Sequence, residues 1–303
     1  MPKTKIACAI FAGNIYGMNF PPDTEQNYFF YNGKILPIEN FSAKLTEGEN
    51  IIYEVIRVKN SAPIFLDDHL NRFSHSAKMM NYNVNLNEIK FGIYELLKAN
   101  PVDQKNFRLM YYSSTENNGY TLLIYFIPSR YPTADEANNG VYLETLHAER
   151  HNPTVKFENK KIRAIANEIL AKHQCYEVLL VDHDGFITEG SRSNVFFIKN
   201  NALVTAPDSK VLGGITRQKV IEICSKLNIN IDFRCLHIDE LVNATGCFIT
   251  GTSPGVLPVK RIDNRYFSSI PDIVRELSAQ YEGLVEQCIH NWKNKNESSS
   301  NSK

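Results

Sequence analysis

The chain has no apolar run of about 18 residues, which excludes a transmembrane helix. It has no C-x-x-C pair. Its six cysteines (Cys8, Cys175, Cys224, Cys235, Cys247 and Cys288) are scattered, mostly through apolar patterns. Neither a disulfide scaffold nor a zinc site is expected, and buried free thiols fit a reducing cytoplasm. It has no excess of charge, with Lys+Arg and Asp+Glu both at 33. That balance argues against nucleic acid or an anionic membrane as the main partner. His69, His75, His147, His151 and His173 show no metal-ligand spacing on one helix face, so no metal is expected. No internal repeat is visible.

What is present suits a packed protein. Its 303 residues are 43% hydrophobic and 22% charged, enough for two modest domains or one large one. Residues 1–27 are expected as an N-terminal extension. Lys3 and Lys5 precede a short apolar run from Ile6 to Ala12, but no small-x-small cleavage site follows, and Met18 offers a second start. A small α/β lobe is expected over 28–131. Tyr28 to Pro37 forms a hairpin around Asn32-Gly33, and Asp67 or Asp68 caps a helix carrying Leu70, Phe73 and Ala77. A second helix spans Asn87 to Leu97, and paired strands run from Phe107 to Tyr112 and Tyr120 to Ile127. The Pro- and Asn-rich stretch 132–141 reads as a linker, 142–293 as a larger lobe, and the Ser-rich 294–303 as a disordered tail. The mixture is α+β in two lobes, with the site expected between them.

The chemistry concentrates between Lys156 and Arg217. Lys156, Lys160 and Lys161 lie close together, with Asn159 three residues beyond the first. Glu189 follows Phe186-Ile187-Thr188 and precedes Val195-Phe196-Phe197-Ile198, so it is a carboxylate on an apolar strand, costly to bury without a cationic partner. Gly213-Gly214-Ile215-Thr216 opens a helix and forms an anion seat, although a Gly-Gly turn is a common feature by itself. Three further segments matter: Asp67-Asp68-His69-Leu70-Asn71-Arg72-Phe73, Thr250-Gly251-Thr252-Ser253, and Tyr53-Glu54-Val55-Ile56-Arg57.

From about Tyr28 to Asp263, and most closely from Lys156 to Pro258, this pattern resembles the class IV, fold-type IV pyridoxal-phosphate enzymes. That group includes branched-chain and D-amino acid aminotransferases and aminodeoxychorismate lyases. The resemblance implies a smaller N-terminal α/β lobe and a larger C-terminal lobe with a mixed, barrel-like sheet. It implies pyridoxal 5′-phosphate as cofactor, held as a Schiff base by Lys156, 33 residues before Glu189. Glu189 would pair with the pyridine nitrogen, and Arg72, Ile215, Thr216 and Thr252 would hold the phosphate. Tyr53, Arg57 and Ser253 would face the substrate, with Glu54 a structural residue between Tyr53 and Arg57. Arg108 is either a carboxylate binder or a strand residue in a salt bridge. Lys160 and Lys161 are expected to be solvated.

The implied activity is an aminotransferase exchanging an amino group between an amino acid, branched-chain or similar, and a 2-oxo acid, in a cytoplasmic homodimer. Two alternatives stand beside it. One is aminodeoxychorismate lyase, of whose Arg-Gly-x-Gly-x-Arg-Gly-Tyr run only Gly119-Tyr120 is present. The same gap removes the arginine trap of D-amino acid aminotransferases. The other is a cofactor-binding protein without turnover, which the presence of both Lys156 and Glu189 disfavours.

Overall fold

The computed structural model describes residues 22, 23, 25–114, 119–150, 153–156 and 159–300, with 296–300 as backbone alone. The expected extension over 1–27 lies almost wholly outside these residues, as do Thr115 to Asn118 of the loop before Tyr120. Two compact units divide the described chain. One comprises the residues up to Arg130, Val155 and Lys156, and the chain from Leu284 onward. The other comprises Tyr131–Thr154 and Asn159–Gly283.

The first unit is an antiparallel six-stranded sheet with helices against one face. Its strands are β1 (Tyr28–Tyr31), β2 (Lys34–Pro37), β3 (Ile52–Lys59), β4 (Ala62–Pro63), β5 (Gln104–Ser113) and β6 (Tyr120–Ile127), in the order β2-β1-β6-β5-β3-β4. Asn32 and Gly33 both take positive φ (41° and 84°), the geometry that lets a two-residue turn follow the strand twist. Alternation along β3 decides the layers. Ile52, Ile56 and Val58 pack with Leu70 and Phe73 of α1 (Leu66–Met79) and Ile93 and Leu96 of α2 (Leu86–Ala99). Tyr53 turns to the opposite face with Phe29, Met110 and Tyr125.

Capping differs from expectation in α1. Phe65, in the left-handed region at φ 52°, is the N-cap, and Asp67 and Asp68 lie in the first turn, where they favour the positive helix end without capping it. The backbone N–H of Phe65 is held by Cys288 Sγ at 3.3 Å, which fixes the entry into the helix. In α2 the side chain of Asn85 accepts from the N–H groups of Asn87 and Glu88. Phe29 and Phe30 are fully buried within this unit, so the aromatic run Tyr28–Tyr31 is largely consumed by its own core.

The second unit is built on a ten-stranded mixed sheet. It contains α3 (Ala134–Asn139), β7 (Val141–His147), α4 (Lys160–His173), β8 (Glu177–Val181), β9 (Phe186–Gly190), β10 (Asn194–Lys199) and β11 (Ala202–Thr205). After these come α5 (Ile215–Lys226), β12 (Ile231–Phe233), β13 (Leu236–His237), β14 (Gly246–Gly251), β15 (Gly255–Ile262) and β16 (Arg265–Tyr266). The order is β12-β11-β10-β14-β15-β7-β8-β9-β13, with β16 beside β15. The pairs β15–β7, β7–β8 and β11–β12 are parallel. Val195, Phe197, Ile249, Leu257 and Val259 fill the core of this sheet.

Two segments are more regular than their composition suggests. The stretch 132–141 is not a bare linker, because Thr133 and Glu136 form a capping box that nucleates α3. The closing helix α6 (Asp272–Ser300) runs into the expected disordered tail as far as Ser300, with neither glycine nor proline beyond Gly283 to interrupt it; residues 301–303 lie outside the described residues. Its residues from Leu284 belong to the first unit. Among the described residues no helix is long and apolar enough to cross a membrane.

Gly92 sets how closely α2 approaches β1. A Cβ there would lie 2.7 Å from the Phe30 ring, inside van der Waals contact. Gly92→Val is expected to cost about 1–3 kcal/mol through overpacking. The measurement is a urea unfolding midpoint, lowered with unchanged slope. A parent-like midpoint would show that Phe30 can give way.

Candidate active site

The candidate residues fall into two groups, one in each unit. In the first unit Lys156 is half-buried and pinned by its backbone. Its N–H donates to Ser76 Oγ and its carbonyl accepts from Tyr53 N–H, both at 3.3 Å. Its Nζ lies 5.0 Å from the centre of the Tyr53 ring, and Arg108 Cζ lies 4.7 Å from the same ring. Register explains the grouping, since Val55 pairs with Arg108 and Tyr53 with Met110 across β3 and β5. Arg57 follows Tyr53 on the same strand face, also buried. Lys156 precedes the helix rather than opening it: Asn159 is the N-cap of α4, its Oδ1 accepting from Ile162 N–H at 3.2 Å. Lys160 and Lys161 are exposed on that helix.

Glu54, expected to be structural, organises the rest of this group. It is fully buried. Arg72 binds it through both Nε (2.7 Å) and Nη2 (2.6 Å), and His69 Nδ1 lies 2.8 Å away. Burial pushes the Glu54 carboxyl up, but the Arg72 charge and its hydrogen bonds, aided by His69, bring it down to about 2. Burial likewise depresses His69, against the pull of Glu54 and with the charges of Arg72 and Lys156 assisting. A neutral His69 must therefore donate Nδ1–H to the carboxylate. Arg72 is thus oriented by Glu54, a partner that the sequence hinted at only through a charged residue on an apolar strand.

In the second unit Glu189 is the penultimate residue of β9, with 3% exposure. Its Oε2 accepts from Leu212 N–H (3.2 Å) and lies 3.4 Å from Asn194 Nδ2, while Arg150 Nε stands 3.4 Å from Oε1. The turn that follows is shaped by Glu177, also buried. Glu177 accepts from Ser191 Oγ (2.7 Å), Ser193 Oγ (2.8 Å), Arg192 N–H (3.0 Å) and Val178 N–H (2.8 Å). Arg150 closes the turn from its other side, with Nη2 donating to Ser191 O at 2.9 Å. Glu177, Arg150 and Asn194 escaped the sequence analysis. The serines flanking Arg192 were the only hint of a buried acceptor.

Ile215 and Thr216 begin α5. Gly214 is its N-cap and no side chain caps it. The first N–H groups of a helix lack intrahelical acceptors, so this end is suited to an anion. Thr252 and Ser253 form the tight turn between β14 and β15, where Gly251 faces Gly255 and Gly255 has φ 62°. Thr250 Oγ1 is buried and has no hydrogen-bond partner among the described residues. An uncapped helix start, an idle buried hydroxyl and a buried carboxylate are together the donor and acceptor set that the phosphate and pyridine nitrogen of pyridoxal 5′-phosphate require, so the residues fit the cofactor. Thiol chemistry is not favoured: burial pushes Cys175 up to about 12, Cys224 to about 11 and Cys247 well above its ordinary value.

Comparison with known proteins agrees. The profile of the amino-transferase class IV family matches residues 51–262. The chain belongs to the class IV aminotransferase family. A Thermotoga maritima protein named "Probable branched-chain-amino-acid aminotransferase" is 30% identical over 251 residues, 80% of this chain and 89% of that one. The D-alanine aminotransferase of Bacillus licheniformis is 30% identical over 233 residues, 72% and 81% of the two chains. In fold, the branched-chain aminotransferase of the thermophilic archaeon Thermoproteus uzoniensis, crystallised with norvaline, superposes with a TM-score of 0.75 at 23% identity, over 88% of this chain and 97% of that one. This class IV aminotransferase is a fold-type IV, pyridoxal 5′-phosphate-dependent enzyme.

The Glu54 cluster gives the protein a two-step acid response. His69 has a lowered folded-state pKa, so the unfolded chain takes up that proton first and stability falls as pH drops through 6.5. Glu54 is also lowered, so its contribution, on the order of 3 kcal/mol, is complete above 4.5 and is lost as pH falls towards 2. Urea midpoints measured from pH 8 to 3 should show both declines, and His69→Gln should remove the upper one. An unchanged upper decline in His69→Gln would assign it to another group.

Proposed function

We propose that this enzyme transfers the amino group of a branched-chain or similar amino acid to a 2-oxo acid, with Lys156 as its catalytic residue. The observation that carries the proposal is the buried Glu189, held by Leu212 N–H beside the uncapped start of α5. When bound, pyridoxal 5′-phosphate supplies an aldehyde for the amino group and a ring that accepts electrons. The Lys156 amine holds the cofactor and then moves a proton at the substrate Cα. Glu189 keeps the pyridine nitrogen protonated. Arg72, the N–H groups and hydroxyls at Ile215 and Thr216, and Thr252 hold the phosphate. Tyr53, Arg57, Ser253 and Arg108 orient the substrate.

Support for the branched-chain class comes from the names of the relatives. The D-alanine aminotransferase relative keeps the hand of the substrate a matter for experiment. The protein with cofactor should be mixed with single L- and D-amino acids, following conversion of the cofactor absorption band. Leucine, isoleucine or valine should convert it fastest; conversion only by D-alanine would overturn the substrate class. Borohydride reduction and peptide mapping should place the pyridoxyl group on Lys156, and its recovery on Lys160 or Lys161 would refute that assignment.

The setting proposed is cytoplasmic, consistent with thiols rather than disulfides at Cys175, Cys224, Cys235, Cys247 and Cys288. The assembly proposed is a homodimer, supported by the habit of this family of completing each active site with a loop of a second subunit. Light scattering of the loaded enzyme should give twice the chain mass of 34.6 kDa; a fully active monomer would refute it.

A further inference from the structure

We propose that Asn194 is a positioning residue that holds the Glu189 carboxylate in register with the phosphate seat at the start of α5. The proposal rests on the roles given above to Glu189 and to Ile215 and Thr216. Asn194 is the first residue of β10, buried, and paired across the sheet with Thr250. Its Nδ2 donates to Leu212 O at 2.9 Å and lies 3.4 Å from Glu189 Oε2. Leu212 N–H donates to that same Oε2. The backbone of one residue and one side-chain amide therefore close a ring through a single carboxylate oxygen.

The ring continues into the helix. Leu212 O also accepts from Gly214 N–H at 2.7 Å, and Gly214 is the N-cap of α5. Gly214 passes so close to Asn194 that a Cβ there would lie 2.0 Å from Asn194 Oδ1. The Asn194 amide thus touches the acid at one end and the turn that aims the helix N–H groups at the other. The cofactor carries its phosphate on a short methylene arm of the ring, so its pyridine nitrogen and phosphate lie within a narrow range of separations. A protein that binds both must keep its own two contact points at a matching separation, because small displacements are costly in catalysis.

Residue chemistry explains why an amide stands at 194. Two acceptors, a carbonyl oxygen and a carboxylate oxygen, converge on it, and an NH2 group supplies two donors. That convergence also fixes which way the amide points. Aspartate would place a carboxylate against both acceptors. Alanine would leave both without this donor. Serine could satisfy one.

The test compares Asn194→Ala, Asn194→Asp and Asn194→Ser with Glu189→Gln and the double variant Asn194→Ala/Glu189→Gln. Each is loaded with pyridoxal 5′-phosphate, and three quantities are measured: the cofactor dissociation constant, the half-reaction rate with the best amino acid, and the thermal midpoint without cofactor. Asn194→Ala should weaken cofactor binding and slow the half-reaction by roughly tenfold each, the scale of losing a partner that orients a ligating group. Asn194→Asp should lose more, with a lowered thermal midpoint, and Asn194→Ser less, with the midpoints of the alanine and serine variants close to the parent. Because Asn194 acts through Glu189, the rate loss in the double variant should be far less than the product of the single losses.

Multiplicative rate losses, or a loss confined to the thermal midpoint, would mean that Asn194 only supports the fold, and would overturn the proposal. So would parent-like cofactor binding and rate in Asn194→Ala while Glu189→Gln is slow. A parent-like rate in Glu189→Gln would instead overturn the role of Glu189 itself, whatever Asn194→Ala does. If Asn194→Asp does not accumulate as folded protein, the alanine and serine variants carry the same comparison.

Discussion

A carboxylate cannot be taken out of water without donors to replace it, and this structure depends on three such replacements. Each uses different chemistry. Glu54 is met by a bidentate guanidinium and an imidazole, so charge compensates charge. Glu177 is met by two hydroxyls and two backbone amides, with no full positive charge among those four donors. Glu189 is held by one backbone amide and a side-chain amide, with Arg150 alongside. For Glu54 the opposing effects are clear in sign. Burial is the largest single influence, yet Arg72 and His69 together outweigh it and leave the acid about 2. Removing one partner of such a pair exposes the desolvation cost of the other, typically about 3–5 kcal/mol.

These sites convert local chemistry into fold geometry. Glu54 ties β3 to α1, linking the strand that carries Tyr53 and Arg57 to the helix that carries Arg72. Glu177 curls the three residues between β9 and β10 back on themselves, which allows Glu189 and Asn194 to stand near each other although they lie five positions apart. The mixed sheet supplies the frame. Asn194 faces Thr250 across β10 and β14, and Thr252 and Ser253 follow at the end of the same strand.

Much of this was legible in the chain because local rules dominate it. The Asn32-Gly33 hairpin, the apolar strand before Glu189 and the Gly-Gly-Ile-Thr helix start each depend on a few neighbouring residues. What stayed hidden depends on distant partners. Arg72 carries no mark of its attachment to Glu54, 18 positions earlier. Glu177 looks like an ordinary strand residue until Ser191 and Ser193 return to it. The α3 helix was obscured by composition: its Pro- and Asn-rich surroundings resemble a linker, while the decisive capping box needs only Thr133 and Glu136. At Phe65 the turn chemistry misled, because an aromatic residue in the left-handed region is rare and the nearby aspartates are usual caps.

Lys156 is fastened on both sides of its α-carbon, at N–H by Ser76 and at the carbonyl by the Tyr53 amide. Its backbone is anchored to both α1 and β3, while its side chain extends beyond those anchors. If Lys156 holds the cofactor as proposed, its amine travels along an arc set by its own methylene chain, from a backbone anchored to Tyr53 of strand β3. Its point of departure is the Tyr53 ring, 5.0 Å from the ammonium. The aromatic face serves as the resting place of a tethered arm, and the length of the tether limits where an amine can be delivered.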